Sequence, residues 1–496
     1  MTTSPHLLTA TDAGRGHYWA TVTAVGCASM MLPFSVTGAA VALPSMAARL
    51  GASTDAAQWM LNAFNITFAA LPLAAGGLAD RIGRRRVLLA GIALVGALSL
   101  LVALAPSMAV VDAARAVQGC GAAAVLAAGA AVLADSTSGR RRQLAFGVLG
   151  TSFGTGLAVG PPAAGALVQA GSWRAVFLLV AALAVPAYLC ATRAPESRAP
   201  DRPPIDLAGL GCFTAGLAAL SFALVRATGA GWAAPSTLLP LVGAAALVVA
   251  FVVVELRRPE RAMFDVRLFR RPEFLAVVCQ PFTVTLGFVV LLVYLPAYLQ
   301  GVGGLDVLTS GLLLLPLTAP VLLLPLPAGR LAAALSVRTV LTAASALIAL
   351  GALLLLTVRG DASWTALTVP LLPFGAGVGL AFGVMDDAAV STVPVERVGA
   401  AAGIFNTLRI TGESVAVSGA AALLTTLTAA HLPGLPPGEA ARLAAHAVQG
   451  QVDPARREAL AAGFTGALHV LGVVLAVLSA AGAVLTHRAL REPAHR

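Results

Sequence analysis

Near the middle of an apolar stretch at residues 398–424 stands a carboxylate, Glu413, with Arg409 one helical turn before it. Two readings are open. An acid held in hydrocarbon can exchange a proton with water or be displaced by a cationic ligand, because a buried charge is costly and protonation removes it. The other reading is an ion pair along one helix face at the i,i+4 spacing. The two coexist if the pair breaks during a working cycle. Arg115, in the apolar stretch 109–134, is a second intramembrane charge. An arginine there costs at least about 2.5–3.5 kcal/mol on insertion scales, so it faces the protein interior with a partner, or else snorkels towards outer headgroups. A guanidinium effectively never deprotonates, so Arg115 can tune a carboxylate or hold water but does not itself carry the proton. Asn62, Asn65 and Gln280 are polar groups within apolar stretches, suited to ligand contact or to hydrogen bonds between helices. Asp386 and Asp387 read as a solvated helix end.

Several chemistries are excluded or left without support. The chain has no lysine, all 32 of its basic residues other than histidine being arginine, so it has no P-loop and no pyridoxal Schiff base. The five cysteines lie in apolar stretches without metal-ligand spacing, and no disulfide, metal site or redox role is expected. No nucleophile with a base stands in a recognisable pattern, so an enzyme is not expected. No cofactor is implied.

The elements that must hold these residues are membrane helices. Of 496 residues, 58% are hydrophobic and 11% charged, and mean hydropathy is +0.88, which a soluble core does not require. Apolar runs of about 20 residues recur from end to end, the length that crosses about 30 Å of hydrocarbon as a helix. Fourteen such runs are expected, the first at 19–43 and the last at 464–486, giving an all-α membrane protein. A cytoplasmic segment at 1–18 and a tail at 487–496 put both termini inside, because the arginine clusters at Arg84 to Arg86, at Arg140 to Arg142 and between Arg257 and Arg271 then face the cytoplasm. The first eighteen residues carry no cleavable signal. The net charge of +10 is spread over short loops, which disfavours nucleic acid and favours anionic inner-leaflet lipids as neighbours. The abundance of arginine and alanine suggests a bacterium with a GC-rich genome.

A weak internal repeat organises the chain. Leu73 to Val87 matches Leu326 to Val340 at Gly76/Gly329, Leu78/Leu331, Ala79/Ala332, Arg85/Arg338 and Val87/Val340. Each copy follows the second span of a six-span unit, so residues 19–192 and 274–486 read as two six-helix bundles. Residues 193–273 are then linkers and two inserted helices. The segment 425–462, rich in proline, reads as an outside loop with a short surface helix near Glu439 to Val448.

With the repeat, the fourteen spans and the short charged connection Gly76 to Leu88 together, the chain resembles the major facilitator superfamily, in particular its 14-span drug/proton antiporter branch. Gly76, Asp80, Arg81, Gly83, Arg84 and Arg85 match the signature loop between the second and third helices. The resemblance implies a conformational latch there, with Asp80 pairing to lock the outward-facing state. Arg115 followed by Gln118 and Gly119 matches the fourth-helix pattern, to which proton transfer is ascribed. Gly147, Gly156, Gly160, Pro161 and Gly165 match the antiporter signature of the fifth helix, with Ala164 where glycine is usual. That signature implies export and a bend at a contact between the bundles, through close helix approach and carbonyls freed by proline. Ser35 stands where relatives often have an aspartate, while Thr37 is retained, which weakens a generic organic-cation assignment. Ser35, Thr37, Asn62, Asn65, Gln118, Gln280 and Asn406 are the candidates for lining a substrate cavity.

The expected function is proton-coupled export of amphipathic drugs or antibiotics across the cytoplasmic membrane, powered by the proton gradient, by a monomer. Glu413, Arg115 and Arg409 are the expected coupling residues. The rival readings are a proton-coupled importer of a small metabolite on the same fold and a membrane sensor or enzyme.

Overall fold

A computed structural model describes residues 6–52, 54–198, 206–257, 269–359, 363–393 and 398–490. Arg258, Arg261 and Arg267 of the basic connection lie outside the described residues, as does the linker stretch 199–205. Helices dominate, and no strand occurs among the described residues. They run in order α1 (His6–Leu50), α2 (Thr54–Ala70), α3 (Pro72–Ile82), α4 (Arg84–Leu104), α5 (Met108–Ser136), α6 (Gly139–Gln169) and α7 (Arg174–Ala191). Next come α8 (Leu207–Ala230), α9 (Pro235–Arg257), α10 (Pro272–Val278), α11 (Gln280–Gly301), α12 (Val307–Leu313), α13 (Leu315–Leu323) and α14 (Pro325–Ala334). The last are α15 (Val337–Leu354), α16 (Trp364–Phe382), α17 (Met385–Ser391), α18 (Val398–Ala429), α19 (Pro437–Val448) and α20 (Arg457–Ala489).

The described residues fall into two compact units. One lies within Met1–Phe222, Val242–Arg270 and Asp386–Thr407, the other within Ala223–Leu241, Arg271–Met385 and Leu408–Arg496. In the first, α1 packs on α6 and α7, α4 on α5 and α7, and α2 on α5. In the second, α15 packs on α16 and α20, and α13 on α16. The short helix α19 occurs where a surface helix is expected, and it folds back on a small core of Leu432, Ala440, Ala447 and Leu460.

Among the described residues, twelve helices are long and apolar enough to cross a bilayer. Two bent pairs, Trp59–Ala70 with Pro72–Ile82 at 51° and Leu315–Leu323 with Pro325–Ala334 at 56°, raise that number to the expected fourteen if each pair is one span. Both breaks have one cause. Proline lacks an amide hydrogen and crowds the carbonyl four residues back, so the ladder is cut at Leu71–Pro72 and again at Leu324–Pro325. Each ladder resumes in the same way, Ala75 N–H donating to Leu71 O and Ala328 N–H to Leu324 O, both at 2.9 Å.

These breaks fall in the register that pairs Gly76 with Gly329, and so do the turns that end each pair. Gly83 has φ 126° and, at the matching place, Ser336 has φ 146°. Glycine takes that region freely, whereas a residue with a Cβ is strained there by about 1–3 kcal/mol. Ser336 recovers part of this as an N-cap, its Oγ accepting from Thr339 N–H at 3.1 Å.

Replacing Ser336 with glycine should therefore raise the thermal midpoint of the detergent-purified protein, since strain of about 1–3 kcal/mol is relieved and only a few tenths are lost at the cap. Gly83→Ala should lower it by a comparable amount, because the new Cβ meets both an unfavourable φ and the Glu196 carboxylate 2.6 Å away. Equal midpoints for the three proteins would contradict the strain assignment.

Candidate functional site

The charged loop between α3 and α4 is closed on itself by ion pairs. Asp80 and Arg84 are buried, and Arg84 Nε donates to Asp80 Oδ1 at 3.0 Å across one turn. The same guanidinium reaches Asp135, at the end of α5, with Nη1 to Oδ1 3.2 Å. Glu196, just beyond α7, gathers the next part of the loop. Its Oε1 accepts from the Arg85 backbone N–H at 3.1 Å, and its Oε2 lies 3.8 Å from Arg85 Nε and 3.7 Å from Arg86 Nε. Arg85 Nη1 also donates to Ala194 O at 3.0 Å, and Arg84 N–H to Ser197 O at 3.0 Å. Gly76 is buried on α3, and Arg81 is exposed. Asp135 and Glu196 were not singled out in the sequence, because nothing in a linear spacing joins them to Arg84 and Arg85.

Arg115 sits in the interior of the first unit, 0% exposed. Snorkelling is thereby excluded for this conformation. Its Nη1 donates to Ser35 Oγ of α1 at 2.9 Å and to Gln118 Oε1 at 2.6 Å, and its Nε to Met60 O of α2 at 3.4 Å. The Phe64 ring covers the guanidinium with its centroid 4.0 Å from Cζ. Gln118 is held in turn, its Nε2 donating to Ser99 Oγ at 2.7 Å and Val95 O at 3.1 Å on α4. Three helices thus meet at Arg115, and Gln118 ties α4 to them. Ser35, Arg115 and Gln118 come together as one group, and Ser99, Met60 and Phe64 are the members that sequence spacing did not reveal.

The glycines of the fifth-span signature lie on α6 against α1. A Cβ on Gly156 would strike the Met30 carbonyl, and one on Gly160 would strike Thr37 Oγ1, so both positions require a hydrogen. Gly147 is buried, while a Cβ on Gly165 would meet nothing within 4 Å. The close approach of Gly156 and Gly160 is to α1 of the same unit, and α6 runs as one helix through Pro161 and Pro162. A membrane helix tolerates such prolines where neighbouring groups take up the freed carbonyls.

The remaining candidates are dispersed. Thr37 donates to Pro33 O on its own helix, and Asn62 and Asn65 are half-buried on α2. Gln280 serves as a bolt between helices: Nε2 donates to Thr486 Oγ1 on α20 and Oε1 accepts from Ser345 on α15 at 3.4 Å. Asn406 is buried, with Nδ2 donating to Ala402 O and Oδ1 left without a partner. On α18, Arg409 is buried and Glu413 half-buried. Arg409–Glu413 is not among the ion pairs of the described residues. Asp387 is not a solvated helix end: Arg142 Nε donates to its Oδ1 and Arg142 Nη2 to Ser391 Oγ at 2.9 Å. Among the described residues no group of three or more His, Cys, Asp or Glu side chains is placed to hold a metal ion.

Because Arg84 and Asp80 are both sealed from water, neutralising one partner leaves a buried charge with less compensation. Asp80→Asn should cost about 3–5 kcal/mol in stability. Asp135→Asn should cost about 1 kcal/mol or less, since that partner is partly exposed. Unfolding in mixed micelles by titrated SDS measures both, and a larger loss at Asp135 would contradict the ranking.

Comparison with known proteins agrees with this architecture. Residues 25–417 match the Major Facilitator Superfamily. The multidrug resistance protein Stp of Mycobacterium tuberculosis is 30% identical, over 89% of this chain and 80% of its own length. The probable actinorhodin transporter of Streptomyces coelicolor is 31% identical, over 81% of this chain and 71% of its own. In fold, the crystal structure of the human organic anion transporter MFSD10 superposes with a TM-score of 0.58 at 15% identity, covering 94% of this chain and 99% of that one. A match over most of the length, together with paired bent crossings and an intact charged loop, leaves one assignment: the chain belongs to the Major Facilitator Superfamily.

Proposed function

We propose that the protein is a proton-coupled exporter of amphipathic drugs or antibiotics, working in the cytoplasmic membrane by alternating access, with both termini in the cytoplasm. The observation that carries this reading is the similarity, over most of the chain, to relatives named as a multidrug resistance protein and an antibiotic transporter. The packing of Gly156 and Gly160 against α1 supports it, since these are signature positions of the antiporter branch. Glu413 is the proton carrier. Arg409 is the charge against which it is tuned, and Arg115 biases the first unit. The Asp80–Arg84–Asp135 and Glu196 contacts are the latch that must open and re-form. Coupling requires that the protonated and deprotonated proteins prefer different facing states, because a proton bound equally by both shifts nothing. The substrate is a small molecule, the energy source is the proton gradient with no cofactor, anionic inner-leaflet lipids neighbour the arginine loops, and the protein acts as a monomer.

The test is efflux in proteoliposomes with an imposed pH gradient. Glu413→Gln should lower gradient-driven efflux about tenfold or more, equivalent to at least about 1.4 kcal/mol of lost driving interaction. It should leave the slow exchange of substrate without a gradient near the wild-type rate. Undiminished gradient-driven efflux in the variant would remove Glu413 from the mechanism.

A further inference from the structure

The donors of Arg115 can be accounted for one by one. A guanidinium has five N–H groups. Those on Nη1 go to Ser35 Oγ and Gln118 Oε1, and Nε goes to Met60 O. The pair on Nη2 remains, and that atom is buried with no hydrogen-bond partner. None of the three acceptors carries a charge, and Arg115 is absent from the ion pairs of the described residues. Asp112, three residues earlier on α5, does not pair with Arg115 among the described residues. The orientation of the guanidinium is nonetheless fixed from three sides. Ser35 and Gln118 hold Nη1, Ser99 and Val95 hold Gln118, and the Phe64 ring covers one face. A full positive charge therefore stands among neutral oxygens and an aromatic ring, with one nitrogen oriented and unused.

An anion is the ligand that such a group selects, because a charge-assisted bond from guanidinium to carboxylate or sulfonate is about twice as strong as a neutral one. We propose that Arg115 Nη2 is the binding point for the acidic group of an amphipathic organic anion, so that the transporter takes anionic amphiphiles in preference to cationic ones. This deepens the exporter reading and rests on it for transport, though not for binding. In the conformation described the guanidinium is sealed, so the anion reaches it when α1 and α2 part from α5. Serine at position 35 is essential to the arrangement. A carboxylate in its place, 2.9 Å from Nη1, would neutralise the charge from within.

The experiment compares two permanently charged dyes in proteoliposomes, the anionic anilinonaphthalenesulfonate and the cationic ethidium, with the wild type and Ser35→Asp. The wild type should move the sulfonate saturably, and Ser35→Asp should raise its KM about tenfold or more. A wild type that moves ethidium but not the sulfonate, or a sulfonate KM unaltered by Ser35→Asp, overturns the proposal. Should Ser35→Asp not fold, binding is read directly: the sulfonate raises the thermal midpoint of the wild type and not that of Arg115→Gln. Equal shifts in the two proteins overturn the proposal. Failure of the exporter reading looks different, since then neither dye responds to the pH gradient while the thermal shift by the sulfonate is kept.

Discussion

Inside a bilayer no water is available to a polar group, so each N–H, C=O and charged side chain must be satisfied by the protein itself. That requirement accounts for the helices, but it also accounts for what happens where helices stop. The charged loop after α3 could not be left open at the membrane edge. It is wrapped by Asp80, Asp135 and Glu196 from three separate places in the chain, so that its arginines serve packing. The same requirement makes Gln280 a bolt between α11, α15 and α20, and it sets Arg115 apart as a cation whose neighbours within bonding reach are neutral.

Much of this was legible in the sequence. Apolar run lengths locate the candidate crossings, and the Gly76 to Leu88 connection marks the fold because its glycines and arginines are close in the chain. The partners of those arginines were not legible. Asp135 and Glu196 lie on other helices, and no periodicity ties a residue to a loop more than fifty positions away. For the same reason Asp387 read as solvated, although Arg142 takes it as an acceptor.

Proline acts differently in different helices. α6 runs as one helix through Pro161 and Pro162, whereas at Pro72 and Pro325, lying within continuous apolar runs, the helix pairs bend by 51° and 56°. α6 packs closely on α1, with Gly156 against the Met30 carbonyl and Gly160 against Thr37 Oγ1. The repeat itself extends one step further than its matched glycines and arginines suggest. Pro72 and Leu73 correspond to Pro325 and Leu326, which the sequence carries openly and which gain meaning only when both crossings are seen to bend there.

Gly83 and Ser336 occupy the same place in the two copies, and they differ in how comfortably they occupy it. The first turn is relaxed in its backbone and gripped by side chains. The second has lost the acid and most of the arginines and keeps a backbone that its residue resists. The two elbows of the repeat thus differ in kind: one is a clasp closed by ion pairs, the other a turn held under strain.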